Sequence, residues 1–203
     1  MKSEKFLAWF AFAVVAFFWG TTFFAIRIGV QSFPPMLMAG FRHSAGGILI
    51  CLYFVAKGYR LPDLSSFKVS FVTGVLMLVG GNGLVTWAEL YISSGLAALI
   101  CSLTPIWIVV LNILISRDEK FSLLAAAGFI ICLAAQILIF NDNISDFTNP
   151  KFTFGIIAVM IANISWAIGM IWSKKKKVDV HPLYGTGLQM LCGGIVLDII
   201  GTV

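Results

Sequence analysis

The chain has 203 residues, of which 60% are hydrophobic and only 11% are charged, and its net charge is +5. A soluble domain carries charge on roughly a quarter of its residues, so this composition excludes a soluble globular protein and indicates that lipid surrounds most of the chain. The modest positive charge requires no nucleic acid as a partner.

Seven apolar stretches are long enough to cross about 30 Å of hydrocarbon as helices of about 20 residues. Turn-forming and charged segments separate them. A transmembrane barrel would instead show alternating segments of about 10 residues, so the sequence predicts an all-α integral membrane protein. In chain order the predicted spans cover residues 7–26, 35–55, 69–87, 92–115, 122–140, 152–172 and 182–203.

Basic residues predict the orientation of these spans, because Lys and Arg gather in cytoplasmic loops. With the N-terminus in the cytoplasm, 11 of the 14 basic residues lie inside, including Arg117, Lys120 and the run from Lys174 to Lys177. Asn143 is then expected outside. The predicted location is the cytoplasmic (inner) membrane, which the chain crosses several times.

Residues 19–49 resemble residues 166–196 at a constant offset of 147. The second copy begins five spans after the first, an odd number, so the two copies enter the membrane from opposite sides. Inverted repeats are a recurrent design of secondary transporters, whose substrate site lies between the repeats near the middle of the membrane. The matched positions are Trp19 with Trp166, Pro35 with Pro182, Gly46 and Gly47 with Gly193 and Gly194, and Arg42 opposite Gln189.

The repeat predicts the domain organisation. Residues 1–147 form a first repeat of five helices, and residues 148–203 begin a second repeat with two helices. Seven helices are thus seen of an expected ten. We expect the chain to be part of a product of about 290–300 residues, built as two inverted five-helix repeats. Alternatively, a second copy in a homodimer, or a separate chain, supplies the missing helices.

Two ionisable residues are candidates for function. Arg42 lies about seven residues into the second span, roughly 10 Å deep. Its insertion costs about 2.5–3.5 kcal/mol, so it is interpreted as an anion contact or gate partner, or else as a side chain reaching the outer headgroups. Glu89, close to Trp87 at the end of the third span, is interpreted as a solvated interfacial carboxylate. The alternative is a partner of Arg42 or a contact for a substrate ammonium group.

Uncharged polar groups inside the spans are further candidates. Asn82 carries an amide that needs a partner, although the glycines around it favour close helix packing. Pro105 removes a backbone hydrogen bond from the fourth span, and the hydroxyls of Ser102 and Thr104 can compensate. Such a kink is either a plain bend or the wall of a substrate path. No metalloprotease, Walker or nucleophile-elbow motif is present, and the four cysteines lack metal-ligand spacing, so no enzyme, metal or cofactor is predicted.

The segments FFWGTTFFAIRIGV, PPMLMAGFRHSAGGILI and above all WAELYISSGLAALICSLTPIWIVVLNILI resemble the EamA-type branch of the drug/metabolite transporter superfamily. The resemblance implies ten helices in two inverted repeats, no cofactor, and outward movement of small metabolites such as amino acids. It marks Trp19, Gly20, Arg42, Thr104 and Pro105, with Trp166 and Gln189 as repeat counterparts. The predicted substrate path comprises Trp19, Arg42, Asn82, Glu89, Ser102, Thr104, Pro105, Trp166 and Gln189.

The sequence therefore predicts a secondary transporter that exports a small metabolite by alternating access without ATP. Its expected partners are a small-molecule substrate and the lipid bilayer. Two alternatives from other classes are a membrane-embedded enzyme acting on lipids and a non-transporting membrane subunit. Turnover of a labelled lipid without vesicle transport would favour the enzyme.

Overall fold

The computed structural model describes residues 2–116, 123–141, 144–176 and 178–202. Within these residues the chain is helical and contains no strand, which confirms the predicted all-α class. Among the residues that the structure describes, six helical segments are long and apolar enough to cross a membrane. A shorter apolar stretch covers Ala127–Leu138. Arg117, Lys120, Asn143 and Lys177, on which part of the predicted orientation depends, lie outside the described residues.

The predicted spans correspond to helices, but the third and fourth spans each consist of more than one element. The elements in chain order are α1 (Lys2–Gly29), α2 (Pro35–Ala56), α3 (Leu64–Gly74), a π-helical segment (Val75–Gly83), α4 (Leu84–Ala88), α5 (Ser94–Cys101), α6 (Thr104–Ser116), α7 (Leu123–Asn141), a 3-10 turn (Ile144–Thr148), α8 (Pro150–Lys175) and α9 (Pro182–Thr202).

The helices begin where the sequence offers a cap. Asp63, Ser93 and Asn149 each accept a hydrogen bond from a main-chain N–H in the first turn of α3, α5 and α8, respectively. Such caps satisfy donors that have no partner inside the helix. Pro35 and Pro182 are the first residues of α2 and α9, where the missing N–H is not needed.

The π-helical segment interrupts the third span, which the sequence predicts as a regular helix. Its wider turn frees main-chain carbonyls, and the Ser165 hydroxyl of α8 donates to the carbonyl of Leu76 at 2.7 Å. Gly80 packs against Ser165, and Gly81 packs against the ring of Trp166. The glycines therefore allow α8 to approach closely, as the sequence predicts.

The fourth span is broken between α5 and α6, whereas the sequence predicts a kinked but continuous helix. Pro105 has no N–H to offer the carbonyl of Cys101, and the Thr104 hydroxyl donates to that carbonyl at 2.6 Å. The Ser102 hydroxyl donates to the carbonyl of Leu99 at 2.6 Å. Both hydroxyls named from the sequence thus satisfy main-chain groups at the break.

Helices α2 and α9 pack side by side in an antiparallel arrangement. They approach so closely that several glycines have no space for a side chain. A Cβ at Gly47 would meet the main chain of Leu191, and a Cβ at Gly194 would meet the main chain of Ser44. These two contacts are related by the offset of 147, since adding it to 47 and 44 gives 194 and 191. The same offset converts the contact between Gly40 and Asp198 into the contact between Gly187 and Cys51. It also converts the contact between Leu37 and Gly201 into the contact between Tyr184 and Phe54.

One end of the α2–α9 pair is covered by an aromatic cluster. Phe54 stacks on Tyr184 with ring centroids 5.3 Å apart, and the His181 ring lies 4.9 Å from Phe54. Beside the cluster is a cleft of about 420 Å³ that includes Asp63. Hydrogen bonds from the side chain and main chain of Ser66 lower the pKa of Asp63, so this exposed carboxylate stays ionised at the start of α3.

Candidate functional site

A cavity of about 650 Å³ lies in the middle of the bundle, between α1, the π-helical segment and helices α4, α5, α6 and α8. Its wall combines apolar side chains with amide, hydroxyl and indole groups, which is the usual character of a small-molecule site. Six residues of the predicted substrate path line it, namely Trp19, Asn82, Ser102, Thr104, Pro105 and Trp166.

The broken fourth span is tied to α8 by Asn163, which the sequence analysis does not single out. Asn163 is 3% exposed, and its Nδ2 donates to the carbonyl of Ile100 at 2.8 Å. Its Oδ1 lies 2.9 Å from the Thr104 hydroxyl, which therefore shares its single proton between this oxygen and the carbonyl of Cys101. An asparagine in the middle of an apolar span was the available signal, because such an amide needs a partner.

Helix α7 reaches the same break through another amide that the sequence analysis does not single out. Gln136 is 6% exposed, and its Nε2 donates to the carbonyl of Leu99 at 2.7 Å. The same nitrogen lies 3.4 Å from the Ser102 hydroxyl. Side chains from α7 and α8 therefore both stabilise the non-helical backbone beside the cavity, as a membrane interior requires.

Two tryptophans related by the offset of 147 face the same cavity. Trp19 comes from α1 and remains largely exposed, while Trp166 comes from α8 and packs on Gly81. Gly20 also lines the cavity, and the space next to its Cα is open. The cavity thus presents aromatic rings from both of the helices that the sequence pairs.

Arg42 does not line the cavity but contacts a residue that does. One guanidinium nitrogen donates to Oδ1 of Asn82 at 3.3 Å and lies 3.3 Å from Nε2 of His43. The His43 ring is buried beside it. The arginine therefore has a polar partner inside the bundle, one residue away from the cavity wall.

Glu89 is buried, whereas the sequence favours a solvated carboxylate at the interface. Its side chain is 0% exposed, and neither carboxyl oxygen has a hydrogen-bond partner among the described residues. The burial arises because Ala88 and Ile92 on either side belong to an apolar cluster that packs against α8. Arg27, which the sequence analysis did not assign to the site, donates to the main-chain carbonyl of Glu89.

Gln189 is not brought to the cavity. It lies in α9, where its main-chain carbonyl packs against Gly74. Asp198, also in α9, has a carboxylate that accepts a hydrogen bond from the Ser44 hydroxyl at 2.7 Å within the α2–α9 contact. Within the described ranges, no group of three or more His, Cys, Asp or Glu side chains could hold a metal ion.

Comparison with known proteins supports a single family. Residues 6–141 match the EamA-like transporter family. The chain is 36% identical over 183 residues to the uncharacterized inner membrane transporter YedA of Escherichia coli K12, covering 89% of this chain and 57% of that protein. It is 23% identical over 184 residues to the uncharacterized transporter YoaV of Bacillus subtilis, covering 90% and 62% respectively.

A third relative is the protein PagO of Salmonella typhimurium, which is 29% identical over 191 residues, covering 94% of this chain and 62% of PagO. The chain therefore spans less than two thirds of the length of these relatives. No solved structure matches it.

Proposed function

The chain belongs to the EamA-like transporter family, whose members cross the membrane several times, and from this premise we propose that it exports a small metabolite, such as an amino acid, as a secondary transporter. The observation that carries the proposal is the cavity of about 650 Å³ in the middle of the bundle. Transport proceeds by alternating access without ATP. The outward direction rests on the family resemblance.

The groups around the cavity favour a small zwitterion. Amides and hydroxyls of Asn82, Asn163 and Thr104 can hydrogen-bond a polar molecule, and two indole rings can attract an ammonium group. Arg42 lies one contact away and has the planar donors that bind carboxylates. Small displacements of Asn82 would bring that guanidinium to the substrate.

The proposed mechanism uses two inverted repeats, residues 1–147 and residues 148–203. Support comes from the α2–α9 contacts that the offset of 147 interchanges and from the paired Trp19 and Trp166 at one cavity. The family match covers residues 6–141, which lie within the first repeat. Repeats of this kind give two alternative arrangements around one central site.

Counterflow of a metabolite panel into liposomes containing the protein tests transport. A Cβ at Gly20 meets no atom within 4 Å, so Gly20→Phe should add a ring at the cavity wall and reduce exchange about threefold to fivefold, since a small ligand fills most of its site. Gly95→Phe is the matched control, because the space at Gly95 is also open but lies away from the cavity, and it should keep the native rate. Equal rates for both variants would contradict the proposed path, as would turnover of a lipid without any counterflow.

We also propose that the N-terminus is cytoplasmic, because basic residues cluster at the end of the bundle that carries Lys57, Arg60 and Lys174. In a cysteine-free background, Lys174→Cys should react with an impermeant thiol reagent only in opened cells. Ser32→Cys, in the turn between α1 and α2 at the other end, should react in intact cells. The reverse pattern would overturn the orientation.

A further inference from the structure

The carboxyl group of Glu89 is buried away from solvent and has no hydrogen-bond partner among the described residues. Glu89 lies one helical turn after Val85, which lines the cavity, and its main-chain N–H bonds to the carbonyl of Val85 at 3.1 Å. The side chain is 0% exposed and both carboxyl oxygens lack a hydrogen bond to any described residue. A charged carboxylate in such a place is costly unless a cation contacts it directly.

The charged and titratable groups around it come from three helices. Arg27 of α1 donates to the main-chain carbonyl of Glu89 and not to its carboxyl group. Arg42 of α2, with His43 beside it, donates to Asn82. Cys101 of α5 is close enough to interact electrostatically with the carboxyl group. Helix α8 presents an apolar surface here, since residues 152–162 contain no titratable side chain.

Both guanidinium groups interact electrostatically with the carboxyl group, but each donates its hydrogen bond to a neutral oxygen instead. Glu89 directly follows the segment Leu64–Ala88 that can span the membrane. Burial raises the pKa of its carboxyl group to about 8, while the charges of Arg27 and Arg42 act in the opposite direction. A raised pKa means that the proton is retained at neutral pH and is lost as the pH rises through that value.

We propose that the Glu89 carboxyl group is the proton-binding site of this transporter, an inference that rests on the proposed function. It binds one proton in the arrangement seen here, where both arginines bond to neutral oxygens. When either guanidinium turns to the carboxyl group, the carboxylate is stabilised and the proton leaves to water. Because Asn82 is one of those neutral partners and also lines the cavity, a substrate that engages Asn82 frees Arg42 for Glu89.

Infrared titration of the purified protein in liposomes tests proton binding without any knowledge of the substrate. The native protein should show the carbonyl band of a protonated carboxyl group at pH 7 and lose it on alkaline titration. Glu89→Gln should lack the band. Asp63→Asn is the matched control, because Asn caps a helix as well as Asp does and position 63 is exposed, and it should keep the band.

Persistence of the band in Glu89→Gln, or its absence from the native protein at pH 7, would overturn the assignment. If Glu89→Gln fails to fold, Glu89→Asp keeps a carboxyl group one methylene shorter and should shift the midpoint of the titration. An unchanged midpoint would overturn it equally. Counterflow of the metabolite panel is measured on the same proteoliposomes, so a failure of transport is distinguished from a failure of proton binding.

Discussion

Asn163→Asp is expected to destabilise the protein more than any other isosteric change near the cavity. At pH 7 the aspartate either stays ionised, so that an acceptor oxygen faces the carbonyl of Ile100 where the amide nitrogen donates at 2.8 Å, or takes up a proton, which costs free energy because the pH lies above the ordinary range of an aspartate. Losing a buried hydrogen bond costs about 1–3 kcal/mol. A carboxylate at the centre of a membrane helix costs about 2.5–3.5 kcal/mol more. Since native proteins are stable by only about 5–15 kcal/mol, a large part of the population should unfold in detergent.

Thermal unfolding in detergent measures this effect, and the chain provides a matched control. Asn149→Asp makes the same chemical change at the start of α8, where the side chain accepts a hydrogen bond from the main-chain N–H of Lys151 at 3.0 Å. An aspartate accepts that bond equally well, so the control should unfold at the native temperature. A native unfolding temperature for Asn163→Asp would show that the amide is not what holds the break against α8.

Arg42→Ala and Arg42→Lys are expected to reduce transport strongly while leaving membrane insertion unchanged. A charge-assisted hydrogen bond contributes about 1.5–3 kcal/mol, which corresponds to roughly a 10-fold to 100-fold loss of rate. Lysine retains the charge but lacks the planar set of donors that contacts a carboxylate in two places. The lysine variant should therefore lose most of the activity that the alanine variant loses.

Counterflow of whichever metabolite the panel identifies provides the measurement for Arg42. Arg60→Lys is the control, because Arg60 is exposed at the end of the bundle beside the smaller cleft, and it should transport at the native rate. Native rates for both Arg42 variants, at native levels of inserted protein, would show that this arginine has no part in transport.

The spans themselves were predictable, because their length and hydropathy depend on local sequence. Pro35 and Pro182 fixed the first residues of α2 and α9, since proline is favoured where a helix begins. The residues lining the cavity could also be found locally. Asn82, Thr104 and Pro105 are polar or helix-breaking residues inside apolar runs, and such residues mark sites in membrane proteins.

The features that could not be predicted depend on partners far away in the sequence. The π-helical segment is stabilised by a hydrogen bond from Ser165 to Leu76, which are 89 residues apart. The burial of Glu89 depends on α8, which packs against Ile92 through Gly155. Next to Trp87, a glutamate at a helix end has the pattern of an interfacial residue, and only the tertiary packing removes it from water.

The wide turn from Val75 to Gly83 also determines which way the rest of the third span faces. In a π-helix each N–H bonds to the carbonyl five residues back, one residue further than in an α-helix, so a π-helical turn is wider and holds more residues. Side chains after the segment therefore face a different direction from the one they would have in an uninterrupted α-helix. Val85 and Glu89 both follow it, so the segment sets the angular positions of a cavity-lining group and of the buried carboxyl group. Because a helix rotates by about 100° per residue, a single-residue deletion in this segment is expected to rotate both away together, which makes the length of the segment, and not only its composition, a determinant of the site.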